Sequence, residues 1–370
     1  MKSSSWIEIN RAALINNLKY IKNLIGAQTQ LAIVAKSNAY GCGLDLITQA
    51  CQEIAEVDWL AVNGTVEALR ARALNFTKRI LVLCFYGWEQ LDLQLAISQK
   101  IDFTVYSLAQ LELLNKLALE LNELVYVHIK IDTGLARLGF TPAQAQAILL
   151  APDFASKYPQ IKLRGIFTHL VEAEKKDSEL SARQIQQLQD LVLTLKANHQ
   201  PVELIHAVGS TGMFLIAQAR FDLVRIGGMA YGLSKLPNPN LQFILQWKTR
   251  IIQIKKLAAG VPVGYNQTFV TQRPTTLAVL PVGYCDGYSR KLSNLGKVSV
   301  NGVVVPVVGR VAMNMITIDI TDVSAVLVGD EVVLLGSQAG VSPYDWSDQA
   351  GIYIYESIVG LNPNIARKLV

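Results

Sequence analysis

Polar residues and glycines follow short apolar runs at several places in the first two-thirds of the chain. Lys36 follows the run 31–35, His169 follows 163–167, and Gly227 with Gly228 follows 223–226. If these runs are parallel strands, their carboxyl ends meet at one end of a sheet or barrel, where enzymes of that architecture place their active sites. The spacing therefore predicts one site built from residues far apart in the sequence.

Lys36 follows five apolar residues, so its ammonium would leave a buried strand at this predicted site. A lysine that only extends its charge to solvent from a strand end would look the same. A Schiff-base lysine needs partial desolvation, which lowers its pKa. The polar residues that follow the other strands favour the second interpretation.

The segments after the seventh and eighth predicted strands are suited to binding an anion. They contain Ser210, Thr211, Gly227 and Gly228. Barrels commonly hold phosphate at these loops, and glycines let backbone N–H groups approach an anion closely. Two ordinary turns are the alternative. A Schiff-base lysine beside a phosphate site predicts pyridoxal phosphate (PLP).

Arg225 follows Leu223 and Val224 on a strand predicted to be buried, so its charge needs a specific partner. The ring nitrogen of the cofactor is one such partner. An arginine there would keep that nitrogen unprotonated and make the ring a weaker electron sink. His169 taken alone is more typical of a hydrogen-bonded core histidine.

Eight apolar runs alternate with amphipathic stretches in this part of the chain, which favours a TIM-type (β/α)8 barrel over an open doubly wound sheet. The predicted strands are 31–35, 59–62, 80–83, 103–106, 125–131, 163–167, 203–206 and 223–226. The clearest predicted helices are 12–25, 108–121, 142–150 and 178–196, with Thr141 and Asp177 as expected N-caps of the last two.

After about residue 240 the pattern changes to short strands separated by Gly, Pro and Asn, which predicts a mostly antiparallel β domain. These strands are 276–279, 297–300, 303–308, 315–318 and 331–335. We expect a barrel domain over residues 1–238 and a β domain over 239–370, joined through the segment 237–239. The first eight or so residues are candidates to pair with the β domain.

Composition excludes several function classes. The 34 basic and 29 acidic residues are scattered, which does not favour nucleic-acid binding. No apolar run reaches the ~18 residues of a membrane span, and residues 1–8 do not resemble a leader, so a cytoplasmic protein is expected. No metal is expected, since the cysteines and histidines have no ligand spacing: Cys42, Cys51, Cys84, Cys285, His128, His169, His199 and His206.

Several motifs closely resemble those of the alanine racemase family, and the resemblance covers almost the whole chain. They are AKSNAYG at 35–41, VHIKIDTG at 127–134, RLG at 137–139, VR at 224–225, YG at 231–232, LPVGYCDGY at 280–288 and GRVAM at 309–313. The lysine motif followed by the Gly-Tyr-x-Asp-Gly motif is highly specific.

The resemblance implies a role for individual residues. Lys36 would carry PLP and act as one base, and Tyr284 would be the second base. A tyrosine needs a cationic or hydrogen-bonding neighbour to act as a base at neutral pH, and His169 backed by Arg225 is our candidate. His169 is also expected to bind the cofactor. The other roles would be phosphate binding by Tyr40, Ser210, Gly227 and Gly228, contact with the pyridine nitrogen by Arg225, substrate binding by Arg137 and Met313, and carbamylation of Lys130 to position Arg137.

The implied activity is two-base interconversion of L- and D-alanine, supplying D-alanine for peptidoglycan, in a homodimer with shared active sites. Gly209 stands where the family usually has Asn, and Asn314 stands where many members have Asp. Residues 362–367 lack a tyrosine that some members use at the phosphate. These departures keep a serine or broader-specificity racemase open. A PLP decarboxylase would lack the Tyr284 motif, and a PLP carrier would lack the β domain.

Overall fold

The computed structural model describes residues 4–87, 89–234, 236, 238 and 240–370 of the 370-residue chain. Residues 237 and 239 of the expected linker lie outside the described residues. The first strand, β1 (Ser5–Ile9), precedes the barrel.

Eight parallel strands follow and confirm the predicted barrel. They are β2 (Gln30–Val34), β3 (Trp59–Gly64), β4 (Arg79–Phe85), β5 (Asp102–Val105), β6 (Val125–Lys130), β7 (Ile161–Phe167), β8 (Leu204–His206) and β9 (Leu223–Ile226). Their order around the sheet is β8-β7-β6-β5-β4-β3-β2-β9. Only isolated hydrogen bonds join β8 to β9, such as Asp222 N to Ile205 O at 3.1 Å, so the barrel is nearly closed.

Both faces of the barrel strands are buried, which is why the strands read as continuous apolar runs. Ala32 and Val34 point inward and pack in the barrel interior with Trp59. Leu31 and Ile33, between them in sequence, pack outward in the larger core beneath the helices. This alternation along one strand separates the two cores.

Ten helices accompany the barrel in the described part of the chain. They are α1 (Arg11–Ile25), α2 (Lys36–Tyr40), α3 (Leu44–Glu53), α4 (Thr65–Ala73), α5 (Gln90–Ser98), α6 (Leu108–Leu121), α7 (Pro142–Leu149), α8 (Phe154–Lys157), α9 (Glu179–Ala197) and α10 (Ser210–Leu215). Thr141 caps α7 as predicted, in a capping box with Gln144. The prediction of Asp177 as a cap is wrong: Ser178 caps α9, because its hydroxyl accepts from Ser181 N.

The second unit consists mostly of antiparallel strands, as predicted. They are β10 (Leu245–Arg250), β11 (Gln253–Leu257), β12 (Pro262–Val263), β13 (Phe269–Val270), β14 (Thr275–Leu280), β15 (Lys297–Val300), β16 (Val303–Pro306), β17 (Ile316–Asp319), β18 (Glu331–Leu335) and β19 (Ala366–Leu369).

 The last of these, β19 (Ala366–Leu369), ends the chain's regular structure, and two short helices, α11 (Pro343–Ala350) and α12 (Glu356–Val359), precede it.

The first strand of the chain belongs to the β sheet and not to the barrel. The six-stranded sheet has the order β16-β15-β18-β10-β1-β19, in which β1 pairs antiparallel with β10 and parallel with β19. A three-stranded sheet, β11-β14-β17, and the β12-β13 pair complete the unit. The β sheet therefore contains strands from both ends of the chain, and the barrel lies between β1 and β10 in sequence.

Among the described residues, no helix is long and apolar enough to cross a membrane, and no group of three or more His, Cys, Asp or Glu side chains is placed to hold a metal ion. All four cysteines are free thiols.

Candidate active site

A cavity of about 730 Å³ opens at the carboxyl ends of the barrel strands. Nine of the residues that were assigned a role from the family resemblance line it: Lys36, Tyr40, Lys130, Arg137, His169, Ser210, Arg225, Gly227 and Gly228. These residues come from segments that follow or end β2, β6, β7, β8 and β9, so the barrel brings them together. Tyr284 and Met313 lie elsewhere, on the surface of the β domain.

The segment that begins at Lys36 is a left-handed turn. Ser37, Asn38, Ala39 and Tyr40 all have φ between 52° and 55°. Each non-glycine residue in this conformation costs roughly 1–2 kcal/mol, and such strain persists where surrounding contacts impose it. Here the side chain of Glu67 accepts a hydrogen bond from Ser37 N at 2.9 Å, and the side chain of Asn38 accepts one from Leu44 N at 2.8 Å. The strained turn places Lys36 and Tyr40 on the same cavity.

Lys36 is half-buried at the start of this turn, and its side chain lines the cavity. Burial lowers its pKa, and the nearby Arg137 guanidinium lowers it further. Both effects disfavour the ammonium, the first by desolvation and the second by repulsion between like charges. A larger fraction of the amine is therefore unprotonated at neutral pH than in an exposed lysine, and the unprotonated form is the one that acts as nucleophile or proton acceptor.

Two glycines form a cradle beside the end of β9. A Cβ added at Gly227 would lie 2.3 Å from the hydroxyl of Tyr40, and one added at Gly228 would lie 2.4 Å from the hydroxyl of Tyr355. The hydroxyl of Ser210 accepts a hydrogen bond from Gly227 N at 3.1 Å. Three hydroxyls against bare backbone suit an anion with several oxygens, so the residues present fit the phosphate of PLP.

Tyr355 is the residue of this cradle that the sequence reasoning missed. Residues 362–367 do lack a tyrosine, but Tyr355 enters from the segment before α12 and its ring meets that of Tyr40 edge-on, with centroids 5.8 Å apart. No recognised motif surrounds it. The proximity of its hydroxyl to the backbone of Gly228 identifies it as part of the cradle, and this proximity is visible only in the fold.

Arg225 is 5% exposed and meets four acceptors. It donates to His206 Nδ1 at 2.6 Å, to the carbonyls of Thr168 and Ala207 at 3.0 Å, and to His169 Nδ1 at 3.2 Å. Burial lowers the pKa of Arg225 to about 9, so the guanidinium stays charged at neutral pH.

Burial lowers the pKa of His169 to about 3, and Arg225 adds repulsion against a second positive charge. His169 is therefore neutral at pH 7. Because its Nδ1 accepts from Arg225, its proton lies on Nε2 and is available to a hydrogen-bond acceptor in the cavity.

Lys130 is 6% exposed, and its ammonium lies 4.9 Å from the centre of the Phe167 ring. Burial lowers its pKa to about 7, with further repulsion from Arg225 and Arg137. Both effects favour the neutral amine of Lys130 over its ammonium form.

Tyr284 and Met313 occupy two loops of the β domain that are joined by backbone hydrogen bonds. Tyr284 N donates to Ala312 O, and Cys285 N donates to Met313 O, both at 3.0 Å. The two side chains are 44% and 55% exposed. Within one chain the structure therefore does not bring Tyr284 to Lys36 or to His169.

Comparison with known proteins agrees with this architecture. A model described as the alanine racemase N-terminal domain matches residues 9–235, and one described as the alanine racemase C-terminal domain matches residues 244–369. The alanine racemase of Syntrophobacter fumaroxidans is 37% identical over 367 residues, which cover 97% of this chain and 96% of that protein.

Solved structures are similar over the same length. The alanine racemase of Clostridium difficile 630 superposes with a TM-score of 0.91 at 30% identity and covers 100% of this chain and 96% of its own. An alanine racemase from Bartonella henselae with covalently bound pyridoxal phosphate has a TM-score of 0.85 at 27% identity, with 100% of both chains covered. The chain belongs to the alanine racemase family.

Proposed function

We propose that this protein interconverts L-alanine and D-alanine with PLP and so supplies D-alanine for peptidoglycan. The observation that carries the proposal is the single cavity in which Lys36 and Arg137 lie beside the hydroxyl and glycine cradle. One amine, one carboxylate-binding cation and one phosphate site are what an amino acid and this cofactor require together.

The cavity offers a partner to each part of PLP. Tyr40, Ser210 and the Gly227–Gly228 backbone would hold the phosphate, Arg225 would face the pyridine nitrogen, and Lys36 would hold the aldehyde carbon. When bound, PLP would supply the electron-withdrawing group that acidifies the α-proton of the substrate amino acid. A guanidinium on the ring nitrogen would limit that withdrawal, since Arg225 remains charged and does not readily give up its proton.

Racemisation needs a proton acceptor on one face of the α-carbon and a proton donor on the other. Lys36 would serve one face, because its lowered pKa favours the neutral amine. The partner subunit's Tyr284 would serve the other face. The Nε2 proton of neutral His169 would stabilise a phenolate by hydrogen bonding, which would lower the pKa of the tyrosine toward neutral pH.

Arg137 would bind the substrate carboxylate at the cavity mouth, and a modified Lys130 would position it. A neutral lysine amine attacks carbon dioxide and forms a carbamate, losing one proton. The pKa of about 7 for Lys130 supports this, and a carbamate would put a negative charge among Arg137, Arg225 and Lys36. That charge would offset the repulsion between the cations.

The exposed position of Tyr284 supports a homodimer in which each β domain completes the partner's cavity. Mixing inactive variants tests it. Lys36→Ala and Tyr284→Phe chains, dissociated and reassociated together, should recover activity because each heterodimer has one intact site. Each variant reassociated alone is the control. Heterodimers as inactive as the two parents would contradict a shared site.

A serine or broader-specificity racemase is the second candidate, because Gly209 leaves space in the cavity. A Cβ added there would lie 3.4 Å from Arg225 O and 3.7 Å from His169 Cε1, so the volume of a small side chain is free. A panel of L-alanine, L-serine and larger amino acids, incubated with PLP and read by chiral chromatography, separates the candidates. Turnover of alanine above all others supports the proposal, and turnover of none of them overturns it.

A further inference from the structure

A chain of hydrogen bonds runs from Arg225 through the barrel interior to the far end of β5. Arg225 donates to His206 Nδ1 at 2.6 Å, and His206 Nε2 lies 2.9 Å from His128 Nδ1. His128 Nε2 lies 3.2 Å from an oxygen of Asp102, which Arg164 contacts through Nη1 at 2.7 Å from both carboxylate oxygens. We call these five residues the relay.

The relay has one consistent arrangement of protons. A guanidinium only donates, so the Nδ1 of His206 must accept and its proton must lie on Nε2. That proton points at Nδ1 of His128, which must also accept, so His128 carries its proton on Nε2 and donates to Asp102. Each step is fixed by the one before it.

Burying the polar and charged groups of the relay in the barrel interior is less favourable in free energy than filling it with apolar side chains. Interiors of this type are usually packed with branched apolar residues, and here Ala32, Val34 and Leu81 provide that packing nearby. His128, His206 and Asp102 are each 0% exposed, and burying a charge is unfavourable unless it is paired. The backbone makes room for the imidazole as well, since a Cβ at Gly165 would lie 2.3 Å from His128 Nδ1.

We propose that Asp102, paired with Arg164, is a positioning residue that orients Arg225 through His128 and His206. The four acceptors around Arg225 in the described residues are neutral, namely two carbonyls and two imidazoles. The carboxylate of Asp102 is the anion that the relay connects to this guanidinium. It polarises both imidazoles in the same direction, which strengthens the bond that His206 accepts.

The direction of the relay can be measured on the full chain freed of PLP. With ¹⁵N-labelled histidine, two-bond nitrogen–proton correlation spectra at pH 7 report which ring nitrogen carries the proton. We expect the Nε2–H form for both His128 and His206. A proton on Nδ1 of either ring, or two protons on one ring, would overturn the relay.

The role of Asp102 needs a variant that does not leave Arg164 without its buried partner, because the other partner of Arg164, Glu203, lies 3.4 Å away and is half exposed. Asp102→Asn with Arg164→Gln removes both charges and keeps an acceptor for His128. The matched control is Lys100→Gln with Glu123→Gln, which removes an exposed ion pair close to the start of the same strand. Each apoprotein is titrated with PLP, and the His206 nitrogen shifts are recorded without it.

We expect the Asp102–Arg164 variant to bind PLP about tenfold more weakly and to shift the Nδ1 resonance of His206, because a hydrogen bond to a charged group has been weakened. The control should change neither quantity. A folded Asp102–Arg164 variant with unchanged PLP affinity and unchanged His206 shifts would mean that the pair serves packing alone.

The titration rests on the proposed function, whereas the proton positions do not. If the unsubstituted protein failed to bind PLP, the proposed function would fail and the spectra of the apoprotein would still decide the relay. If the double variant did not fold, the histidine spectra of the unsubstituted chain would remain the test.

Discussion

Replacing Gly227 with alanine should weaken PLP binding by far more than the addition of one methyl group would suggest. The new methyl would lie 2.3 Å from the Tyr40 hydroxyl, so that hydroxyl must retreat by about 1 Å to reach ordinary contact. Tyr40 has little freedom to do so, since its ring packs 5.1 Å from Tyr231 and 5.8 Å from Tyr355 and its backbone belongs to the left-handed turn.

The expected loss is one hydrogen bond to a charged phosphate, worth about 1.5–3 kcal/mol. That corresponds to roughly a tenfold to 150-fold rise in the dissociation constant of PLP. Titration of the apoprotein with PLP, followed by absorbance, measures it, and thermal unfolding without PLP checks that the variant is folded.

Gly209→Ala is the matched control, because it adds the same methyl to the same cavity at 3.4 Å or more from its neighbours. Its PLP affinity should stay within about threefold of the unsubstituted protein. A second comparison isolates the cause. If Gly227→Ala acts through Tyr40, adding it to Tyr40→Phe should cost little more, because the hydroxyl is already gone. Full additivity of the two losses, or a folded Gly227→Ala variant that binds PLP normally, would refute the reasoning.

Two further predictions concern the lysines of the cavity. Lys36→Ala should abolish covalent attachment of PLP; borohydride reduction followed by peptide mass spectrometry should find the cofactor on Lys36 in the unsubstituted protein, and finding it on another lysine would contradict the assignment. Lys130 has a pKa of about 7 in the fold and an ordinary value near 10 when unfolded, so the unfolded chain binds more protons between these pH values and stability rises with pH across that window. Lys130→Met should remove this rise in the free energy of unfolding, measured by urea unfolding between pH 7 and 9 in carbonate-free buffer. If the free energy of unfolding depended on pH equally in both proteins, the pKa of Lys130 would not be lowered.

The barrel was predictable because its strands are buried on both faces and its helices on one, so two different periods alternate along the chain. The grouping of the strand-end residues into one site was predictable from that pattern, because the carboxyl ends of parallel strands lie at the same end of the barrel. Several strands of the β domain were not predictable. β11 has the sequence QIKKL with no buried position, and β19 has four residues that are half-buried at most.

Other features depend on contacts that no local pattern records. The left-handed turn after Lys36 contains no glycine at residues 37–40, and hydrogen bonds to Glu67 and from Leu44 hold it instead. His128 and His206 are 78 residues apart and meet only because β6 and β8 both flank β7. Tertiary structure selects these conformations, and single-sequence reasoning has no access to it.

The C-terminal segment of the β domain contacts the barrel of the same chain, whereas the loops that carry Tyr284 and Met313 are exposed. Its C-terminal part reaches the PLP cradle of the same chain, where Arg367 Nε donates to Gly41 O at 2.7 Å and Tyr355 lies against Gly228. Tyr284 and Met313, by contrast, are on exposed loops.

This division predicts that PLP binding and racemisation have different requirements. The proposed dimer, diluted until it dissociates, should keep its PLP, because in the proposed site each barrel and its own Tyr355 form the whole cradle. It should lose racemisation, because the partner subunit's Tyr284 would have left. Sedimentation velocity monitored at the cofactor's absorbance would show PLP on the monomer, and activity measured over the same dilution series should fall with the dimer fraction. Racemisation that persists undiminished in the monomer would mean that Tyr284 serves its own chain or is not the second base, and PLP released on dissociation would mean that the cradle is incomplete within one chain.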